Sequence, residues 1–308
     1  ATRLPAIVAD PPGARVIDRE AIERRGAVFA ADILSDIPGL SVTRSGASAG
    51  VAQVRMRGAA PGKTLVLVDG VPVNDASELN GAFDVAAFDL ADIERIEVLS
   101  GPQSSLWGSD AIGGVIAFTT REIEGLRAEA EAGSFETVRG RVSAGVADET
   151  WALGAYVSRF DSDGVSAADE ADGNTEADGL RATTAGVRGR YAFAPAVQMD
   201  GSLRWSSSKG DIDGTPPPLY VPGDTPDTTE AEQWSGFGRL SLRAVGLDHQ
   251  LSISASAIDR VNDGDFASTF QAERQVYRWQ AGGAALEDAV AFTVGAEREA
   301  TEGSLSTG

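Results

Sequence analysis

The pattern of hydrophobic and polar positions changes character near residues 121–125. Before this point, short helical signals are mixed with compact hydrophobic runs. After it, apolar and polar residues alternate with a period of two almost to the end of the chain. A period of two is typical of β-strands with one apolar and one polar face. We therefore predict a mixed α/β domain at residues 1–124 and an antiparallel sheet at residues 125–308.

The first domain is predicted to contain two short helices followed by several strands. Asp18 can cap a helix that runs to Arg25, and a second helical pattern extends from about Ala27 to Asp36 before a Pro-Gly pair. The pair Asp69–Gly70 lies between β-branched residues and predicts a tight hairpin, because both turn positions require positive φ. The predicted strands cover residues 40–43, 53–57, 65–73, 93–99 and 115–119.

The second domain is predicted to form transmembrane strands of a β-barrel. About nine alternating segments of roughly 9 to 14 residues match the length that a tilted strand needs to cross a bilayer. Long acidic segments at residues 161–180 and 209–232 are separated by short turns, among them Ser134–Phe135, which predicts long loops at one rim and short turns at the other. A soluble antiparallel sandwich also alternates. The side chains predicted to face outward include Leu126, Val142, Leu203, Leu240 and Ile253.

Composition narrows the range of functions. The 308 residues include 46 acidic and 26 basic side chains, a formal net charge of -20, which argues against binding to nucleic acid. The absence of cysteine excludes disulfides, thiolate nucleophiles and Cys-ligated metals. The single histidine, His249, lies beside Asp248 with no serine partner in view, which favours a surface position. We therefore predict no enzymatic function.

The first domain contains four segments that point to one family: Arg55–Gly58, Val66–Asn74, Ile93–Pro102 and Leu106–Ile116. In their order and spacing they resemble the plug domain of TonB-dependent outer-membrane receptors. The resemblance implies a plug inside a barrel of about 22 strands. It also implies a bacterial outer-membrane location in contact with lipid, capture of a scarce nutrient at the extracellular face, and import powered by the partner protein TonB.

Within this family, the sequence is most similar to the cobalamin-transporter branch, which implies cobalamin as the substrate. A ferric siderophore is the alternative, and a non-transport adhesion or signalling protein is a further one. The plug loops expected to face outward are small and polar, and they lack the basic and aromatic groups that suit an anionic ferric chelate. The predicted substrate-binding residues are Ser45, Val51, Ala52, Gln53, Leu79 and Asn80.

The sequence departs from the family pattern at three places. The start, Ala1–Pro5, resembles residues that follow the family's TonB box, so we expect the box upstream. The number of predicted strands implies that about thirteen more complete the barrel. Ser100 occupies a position before Gly-Pro where many relatives carry arginine.

Two sets of charged residues carry further expectations. The loop from Asp161 to Asp178 is rich in the oxygen ligands that suit Ca²⁺, although a loop of this kind can also be simply solvated. Arg55 and Arg57 alternate along a strand and so share one face, where the resemblance implies an ionic contact between plug and barrel; a solvated strand face is the alternative. The calcium ligands implied by the resemblance are Asp163, Asn174, Glu176, Asp178, Asp213 and Asp227.

Overall fold

The chain folds into an N-terminal α/β domain and one large antiparallel sheet, seen here in a computed structural model. The expected TonB-box neighbours Ala1–Pro5 and Leu106 of the family-like segment lie outside the residues that the structure describes. The described residues are 14–46, 49–103, 107–168, 171, 173–215, 221, 223–264, 267–285 and 290–307.

The N-terminal domain contains two helices and seven strands among its described residues. Its main sheet has the order β1-β6-β7-β4-β5, with β4 and β7 parallel and the other neighbours antiparallel, while β2 and β3 form a separate hairpin. The elements are β1 (Ala14–Asp18), α1 (Arg19–Arg25), α2 (Ala30–Leu34), β2 (Leu40–Arg44), β3 (Ala52–Met56), β4 (Thr64–Val68), β5 (Val71–Pro72), β6 (Ile93–Ser100) and β7 (Gly114–Thr120).

Both predicted helices are present, and the second is shorter than predicted. The Asp18 side chain accepts a hydrogen bond from the Ala21 N–H at 2.8 Å, which confirms the N-cap of α1. The second helix covers only Ala30–Leu34, because the residues before it pair with another segment: the Leu90 N–H donates to the Val28 carbonyl at 3.0 Å. No helix among the described residues is both long enough and apolar enough to cross a membrane.

The hairpin predicted at Asp69–Gly70 is confirmed. It joins the antiparallel strands β4 and β5, and its two central residues have φ values of 51° and 85°. These are the positive values that a type I′ turn requires. The turn brings the Asp69 carboxylate to the edge of the domain, where its Oδ1 atom accepts a hydrogen bond from the Thr120 N–H at 2.9 Å.

The second sheet contains nine antiparallel strands in sequence order, which confirms the predicted number and fold class. The strands have 8 to 22 residues, and several are longer than predicted. Their bounds are β8 (Gly125–Ala132), β9 (Val138–Ala147), β10 (Trp151–Ser162), β11 (Leu180–Ala194), β12 (Val197–Gly214), β13 (Gly223–Ala244), β14 (Leu247–Asp263), β15 (Ser268–Ala285) and β16 (Val290–Thr307).

Two predictions about the connections between strands were wrong. The acidic segment at residues 209–232 is mostly strand, because β12 continues to Gly214 and β13 begins at Gly223. Backbone pairing satisfies a polar segment as well as an apolar one, so these strands continue past their apolar part. The turn at Ser134–Phe135 lies at the same rim as the long loops, since strand direction alternates and the first and third connections fall on one side.

The apolar faces of the strands point away from the N-terminal domain, as predicted. Leu126, Val142, Leu203 and Ile253 are exposed, and Leu240 is half-buried. The opposite face contacts the N-terminal domain and buries polar side chains. The buried members of this inner face include Arg141, Ser143, Tyr156, Ser158, Thr184, Arg204 and Arg260.

Candidate functional site

Two loops of the N-terminal domain lie side by side at the rim that carries the long connections. The Asn80 Nδ2 atom donates to Gln53 Oε1 at 3.4 Å, which joins the loop after β5 to the start of β3. Leu79, at the tip of the first loop, is 94% exposed. Three of the predicted substrate-binding residues are thus neighbours on one accessible surface.

The loop between β2 and β3 is held by a hydrogen bond between its two ends, and this affects the predicted substrate-binding residues that it contains. The Ser45 N–H donates to the Val51 carbonyl at 3.0 Å, and Val51 is half-buried. Ala52 is fully buried, and its N–H donates to Asp84 Oδ1 at 2.9 Å. Ala52 therefore cannot contact a substrate with its side chain, and its prediction as a binding residue is corrected: it belongs to the domain core.

Four carboxylate or amide side chains hold the chain after β5 in shape, and the sequence analysis assigned this role to none of them. In each, the side-chain oxygen accepts a hydrogen bond from the N–H two residues later, the pattern of an Asx turn. The spacing of Asp or Asn before a small residue is the signal that could have identified them. The donor–acceptor pairs are Ser77 to Asp75 at 2.8 Å, Ala82 to Asn80 at 2.8 Å, Ala86 to Asp84 at 2.9 Å and Ala91 to Asp89 at 2.5 Å.

The N-terminal domain meets the inner face of the nine-stranded sheet along a polar interface, which we call the seam. Its centre is the buried ion pair between Arg204 of β12 and Asp92. The Tyr156 hydroxyl donates to Asp92 Oδ2 at 2.7 Å, and Arg204 Nη2 donates to the Asp89 carbonyl at 2.9 Å. The guanidinium also lies 4.4 Å from the centre of the Phe88 ring. Arg204 is therefore held by an acid, a carbonyl and an aromatic face of the N-terminal domain.

Two more carboxylates of the N-terminal domain extend the seam. Asp89 Oδ2 accepts a hydrogen bond from the Ser158 hydroxyl at 2.5 Å. Asp69 Oδ2 lies 3.1 Å from Arg188 Nη1 and accepts a hydrogen bond from the Ser202 hydroxyl at 3.1 Å. The hairpin turn thus places Asp69 against two neighbouring strands of the sheet.

Near the rim that carries the long connections, the seam is again formed by ion pairs and hydrogen bonds. Glu78 forms an ion pair with Arg260 of β14, whose guanidinium lies 4.1 Å from the centre of the Phe270 ring. The Ser256 hydroxyl donates to the Pro72 carbonyl at 3.0 Å. In these contacts the N-terminal domain supplies the acids and carbonyls, and the sheet supplies the arginines and hydroxyls.

The two arginines predicted to make an ionic contact lie at and just beyond the end of β3. Arg55 and Arg57 are both exposed, and their expected partners belong to later strands, so this contact stays a prediction. The prediction that they share one strand face is corrected. Arg57 lies just beyond the end of β3 with a φ of 51°, which interrupts the alternation, and its guanidinium packs against Gly101.

The acidic loop between β10 and β11 folds against the start of the next loop. Asp178 Oδ2 accepts a hydrogen bond from the Ala167 N–H at 2.6 Å, and Asp213 Oδ2 accepts one from the Ala168 N–H at 2.8 Å. Burial raises the pKa of Asp178 to about 6, and the nearby Asp213 and Glu176 add to the shift. Several carboxylates therefore lie close together in this loop and repel one another.

The structure places part of the predicted calcium set beside two further acids, Asp224 and Asp211. Asp224 Oδ2 accepts hydrogen bonds from the N–H groups of Thr175 and Glu176 at 2.8 and 3.1 Å, and Asn174 Oδ1 accepts one from the Asp224 N–H at 3.2 Å. Asp211 also interacts electrostatically with this cluster.

The remaining two predicted ligands have different surroundings. Asp227 packs against Gly214 and Gly264, and Asp163 precedes Gly164, which abuts the Asp178 carbonyl. Two shielded oxygens, Asp213 Oδ1 and Asp224 Oδ1, have no hydrogen-bond partner. They could serve as cation ligands, but the described residues contain no ready-made group of three or more acidic or histidine ligands.

Comparison with known proteins identifies the N-terminal domain. Residues 8–115 match the family model of the TonB-dependent receptor plug domain. The N-terminal part of the chain thus matches a plug domain, and a sheet of nine antiparallel strands among the described residues follows it. The plug match and the barrel strands around it also confirm the predicted location in the bacterial outer membrane.

Solved structures share the fold of the plug and the adjoining strands. The ferric yersiniabactin uptake receptor FyuA from Yersinia pestis superposes with a TM-score of 0.74 and 18% identity over 96% of this chain and 49% of its own. The siderophore receptor PirA from Acinetobacter baumannii gives 0.71 and 19% over 94% of this chain and 48% of its own. The chain spans about half the length of these structures.

A third solved structure points the same way. FpvA of P. aeruginosa, bound to heterologous pyoverdines with iron, superposes with a TM-score of 0.74 and 14% identity over 95% of this chain and 43% of its own. These comparisons do not support the predicted cobalamin branch.

Proposed function

We propose that this protein is an outer-membrane TonB-dependent receptor that imports a ferric siderophore and is not an enzyme. The observation that carries the proposal is a plug domain docked by a polar seam on the inner face of barrel strands, in a fold shared with siderophore receptors. Because the plug lies against the inner barrel wall, a large cargo passes only if the plug moves or rearranges. TonB is the proposed source of that work.

The proposed substrate contact is the surface formed by Gln53, Leu79 and Asn80. One exposed apolar tip beside two amide side chains suits a large amphiphilic ligand, which gains affinity from excluded water and a few placed hydrogen bonds. Leu79→Asp is expected to weaken binding, because it places a charge where the ligand's apolar surface would lie. Val245→Asp is the matched control, since Val245 is equally exposed but lies in a turn at the opposite rim.

The charge of the surrounding loops favours particular chelates. The rim that carries this surface also carries the acidic cluster of Glu176, Asp178, Asp213 and Asp224, whereas the charge of Glu78 is matched by Arg260. A field of this sign repels trianionic catecholate complexes and attracts neutral or cationic ones. We therefore propose a neutral or cationic ferric chelate, such as a hydroxamate complex, as the preferred substrate class.

Calcium binding by the acidic cluster stays a proposal of its own. A divalent cation at Asp213 and Asp224 would occupy the two carboxylate oxygens that have no hydrogen-bond partner, and would offset the repulsion between neighbouring acids. Titration calorimetry in millimolar calcium should detect binding that Asp178→Ala weakens. The absence of heat, or binding unchanged in Asp178→Ala, would contradict it.

The decisive experiment is uptake by cells that carry the complete gene. Radiolabelled iron is supplied as hydroxamate, catecholate and mixed chelates, and labelled cobalamin is supplied in parallel, in cells with and without TonB. TonB-dependent uptake of a ferric chelate is the expected result. Uptake of cobalamin alone would return the assignment to the cobalamin branch, and uptake of neither would favour an adhesion or signalling role.

A further inference from the structure

Arg141 is a buried cation whose charge is poorly matched by its surroundings. It lies on the inner face of β9, and only 2% of its side-chain surface is exposed to solvent. The Nε, Nη1 and Nη2 atoms are all shielded from solvent and have no hydrogen-bond partner. Arg141 does form a long ion pair, since Glu129 Oε2 is 3.7 Å from Nη1, but this distance is beyond that of a hydrogen bond. A buried guanidinium with five donors and no hydrogen bond is costly unless something else binds it.

Other arginines around Arg141 increase the excess of positive charge. Arg19, Arg121 and Arg127 all lie close enough to repel it, whereas Glu129 is the acid that attracts it. A second acid, Glu23, lies on α1 and interacts with Arg19 and Arg127. The cluster therefore combines four arginines with two glutamates.

The two glutamates are already engaged by the other arginines. Arg19 Nε donates to Glu23 at 2.9 Å, and Arg19 Nη1 donates to the carbonyls of Leu90 and Ile93 at 2.8 and 3.1 Å. Arg127 forms ion pairs with both Glu23 and Glu129. Arg19 and Arg127 are thus satisfied, and the excess charge falls on Arg141 and its neighbour Arg121.

Arg121 is the second donor with capacity to spare. It lies in the segment that joins the plug to the barrel, and its Nη2 donates to the Ser143 hydroxyl at 3.2 Å. Its Nε atom is buried and has no partner. Burial, together with repulsion from Arg19 and Arg127, lowers the pKa of Arg121 below its ordinary value, as expected where cations are crowded.

We infer that a monatomic anion with the charge and size of chloride binds between Arg141 and Arg121. Water could accept hydrogen bonds from the guanidinium groups but would leave their excess positive charge unbalanced. An anion both accepts the hydrogen bonds and neutralises the charge. A monatomic ion is also small, so it can bind with little displacement of the enclosed Arg141 side chain. The site links β9, the connecting segment and, through Arg19, helix α1, and so stabilises the junction of plug and barrel.

The direct test uses bromide as a chloride substitute that scatters anomalously. Crystals of the protein expressed from its complete gene, grown in bromide, should show an anomalous peak in contact with the Arg141 guanidinium. An ordered water with no anomalous signal at that place would overturn the inference. Because this arm uses the unaltered protein, it remains decisive if a variant fails to fold.

The second test compares two arginines on the same face of one strand. Arg139→Gln is the control for Arg141→Gln. Both arginines lie at a similar distance from a glutamate, 3.6 and 3.7 Å, but the side chain of Arg139 is 15% exposed and that of Arg141 only 2%. Replacing chloride by gluconate at constant ionic strength should lower the melting temperature of the unaltered protein and of Arg139→Gln by about 2–4 °C. Arg141→Gln should lose this dependence. An equal chloride response in Arg141→Gln and the unaltered protein would overturn the inference.

Discussion

The interior of the plug and the seam around it are both buried, but they are built from opposite chemistry. The plug interior packs apolar side chains such as Ile33, Ile96 and Phe118, all without measurable exposure. The seam, by contrast, buries carboxylates against arginines and hydroxyls, as in the contacts of Asp92 with Arg204 and Tyr156. Burial alone therefore does not say what an interface is built to do.

The difference indicates which contacts are permanent and which can be exchanged. Exposing an apolar core to water forfeits its hydrophobic stabilisation, roughly in proportion to the area exposed. Separating ion pairs and hydrogen bonds lets each partner regain hydration, so the net cost is far smaller than the gross interaction. For the proposed transport, we therefore expect the plug to detach from the wall while its apolar core holds its own fold.

The largest expected effect comes from the plug core. Phe118→Ala removes a ring that packs 4.7 Å from the Phe88 ring, centre to centre, and should lower the stability of the plug by about 3–5 kcal/mol. Hydrogen exchange at the amides of β4 and β7 measures this loss. Val16→Ala on β1 is the control, because Val16 is 46% exposed. If Phe118→Ala and Val16→Ala lowered the stability of the plug equally, the assignment of Phe118 to the plug core and of Val16 to its surface would be contradicted.

Breaking the centre of the seam should have the next largest effect. Arg204→Met leaves Asp92 buried without its cation, and we expect a loss of about 3 kcal/mol. Hydrogen exchange at residues 84–92 reports the change. The double variant Arg204→Met, Asp92→Leu replaces the pair by apolar side chains and should recover most of this stability.

The same double variant separates stability from transport. Apolar side chains gain no favourable hydration when the plug separates from the sheet, so this separation should cost more free energy in the double variant. We therefore expect slower iron uptake even if the stability has recovered. The measurement is the uptake rate of the ferric chelate at equal receptor abundance. Uptake as fast as that of the unaltered protein would show that the polarity of the seam serves no role in transport.

A single hydroxyl contact gives a smaller effect. Ser256→Ala removes the hydrogen bond to the Pro72 carbonyl, and it should destabilise the docked plug by about 1 kcal/mol. Ser254→Ala, two positions earlier on the same inner face of β14, is its control. Hydrogen exchange around β5 should distinguish the two. No difference between them would mean that this contact contributes nothing to docking.

The smallest effect is confined to the acidic loop and depends on pH. The folded loop raises the pKa of Asp178 from an ordinary 3.8 to about 6, so it binds more protons than the unfolded loop between these values. The resulting stabilisation is complete below the ordinary pKa and is lost as the pH rises through about 6. Exchange of residues 163–179, corrected for its intrinsic pH dependence and measured with a chelator, should follow this profile.

The matching variant removes the titrating proton. Asp178→Asn keeps the shape and the acceptor of the hydrogen bond from the Ala167 N–H, so the loop should remain folded with a flat profile between pH 4 and 6. A profile unchanged in this variant would assign the titration to a neighbouring acid.

Local sequence signals determined the elements of the fold. The alternation after residue 125 determined nine strands and which face of each points outward, because it depends only on neighbouring positions. The cap at Asp18 and the turn at Asp69–Gly70 are also set within a few residues. The acidic loop could be recognised as a cluster, whereas its geometry required the strands on either side.

Only the tertiary structure decided the seam, the Asp224 contacts and the surroundings of Arg141. Arg204 and Asp92 are 112 positions apart, and nothing near either residue in the sequence indicates the other. Which acid meets which arginine depends on how the strands are staggered and how the plug docks on them. The fate of Ala27–Phe29 was decided in the same way, because a helical pattern gave way to pairing with a segment about sixty positions later. Patterns with short periods carry information about faces, whereas partners across an interface are selected by the assembled shape.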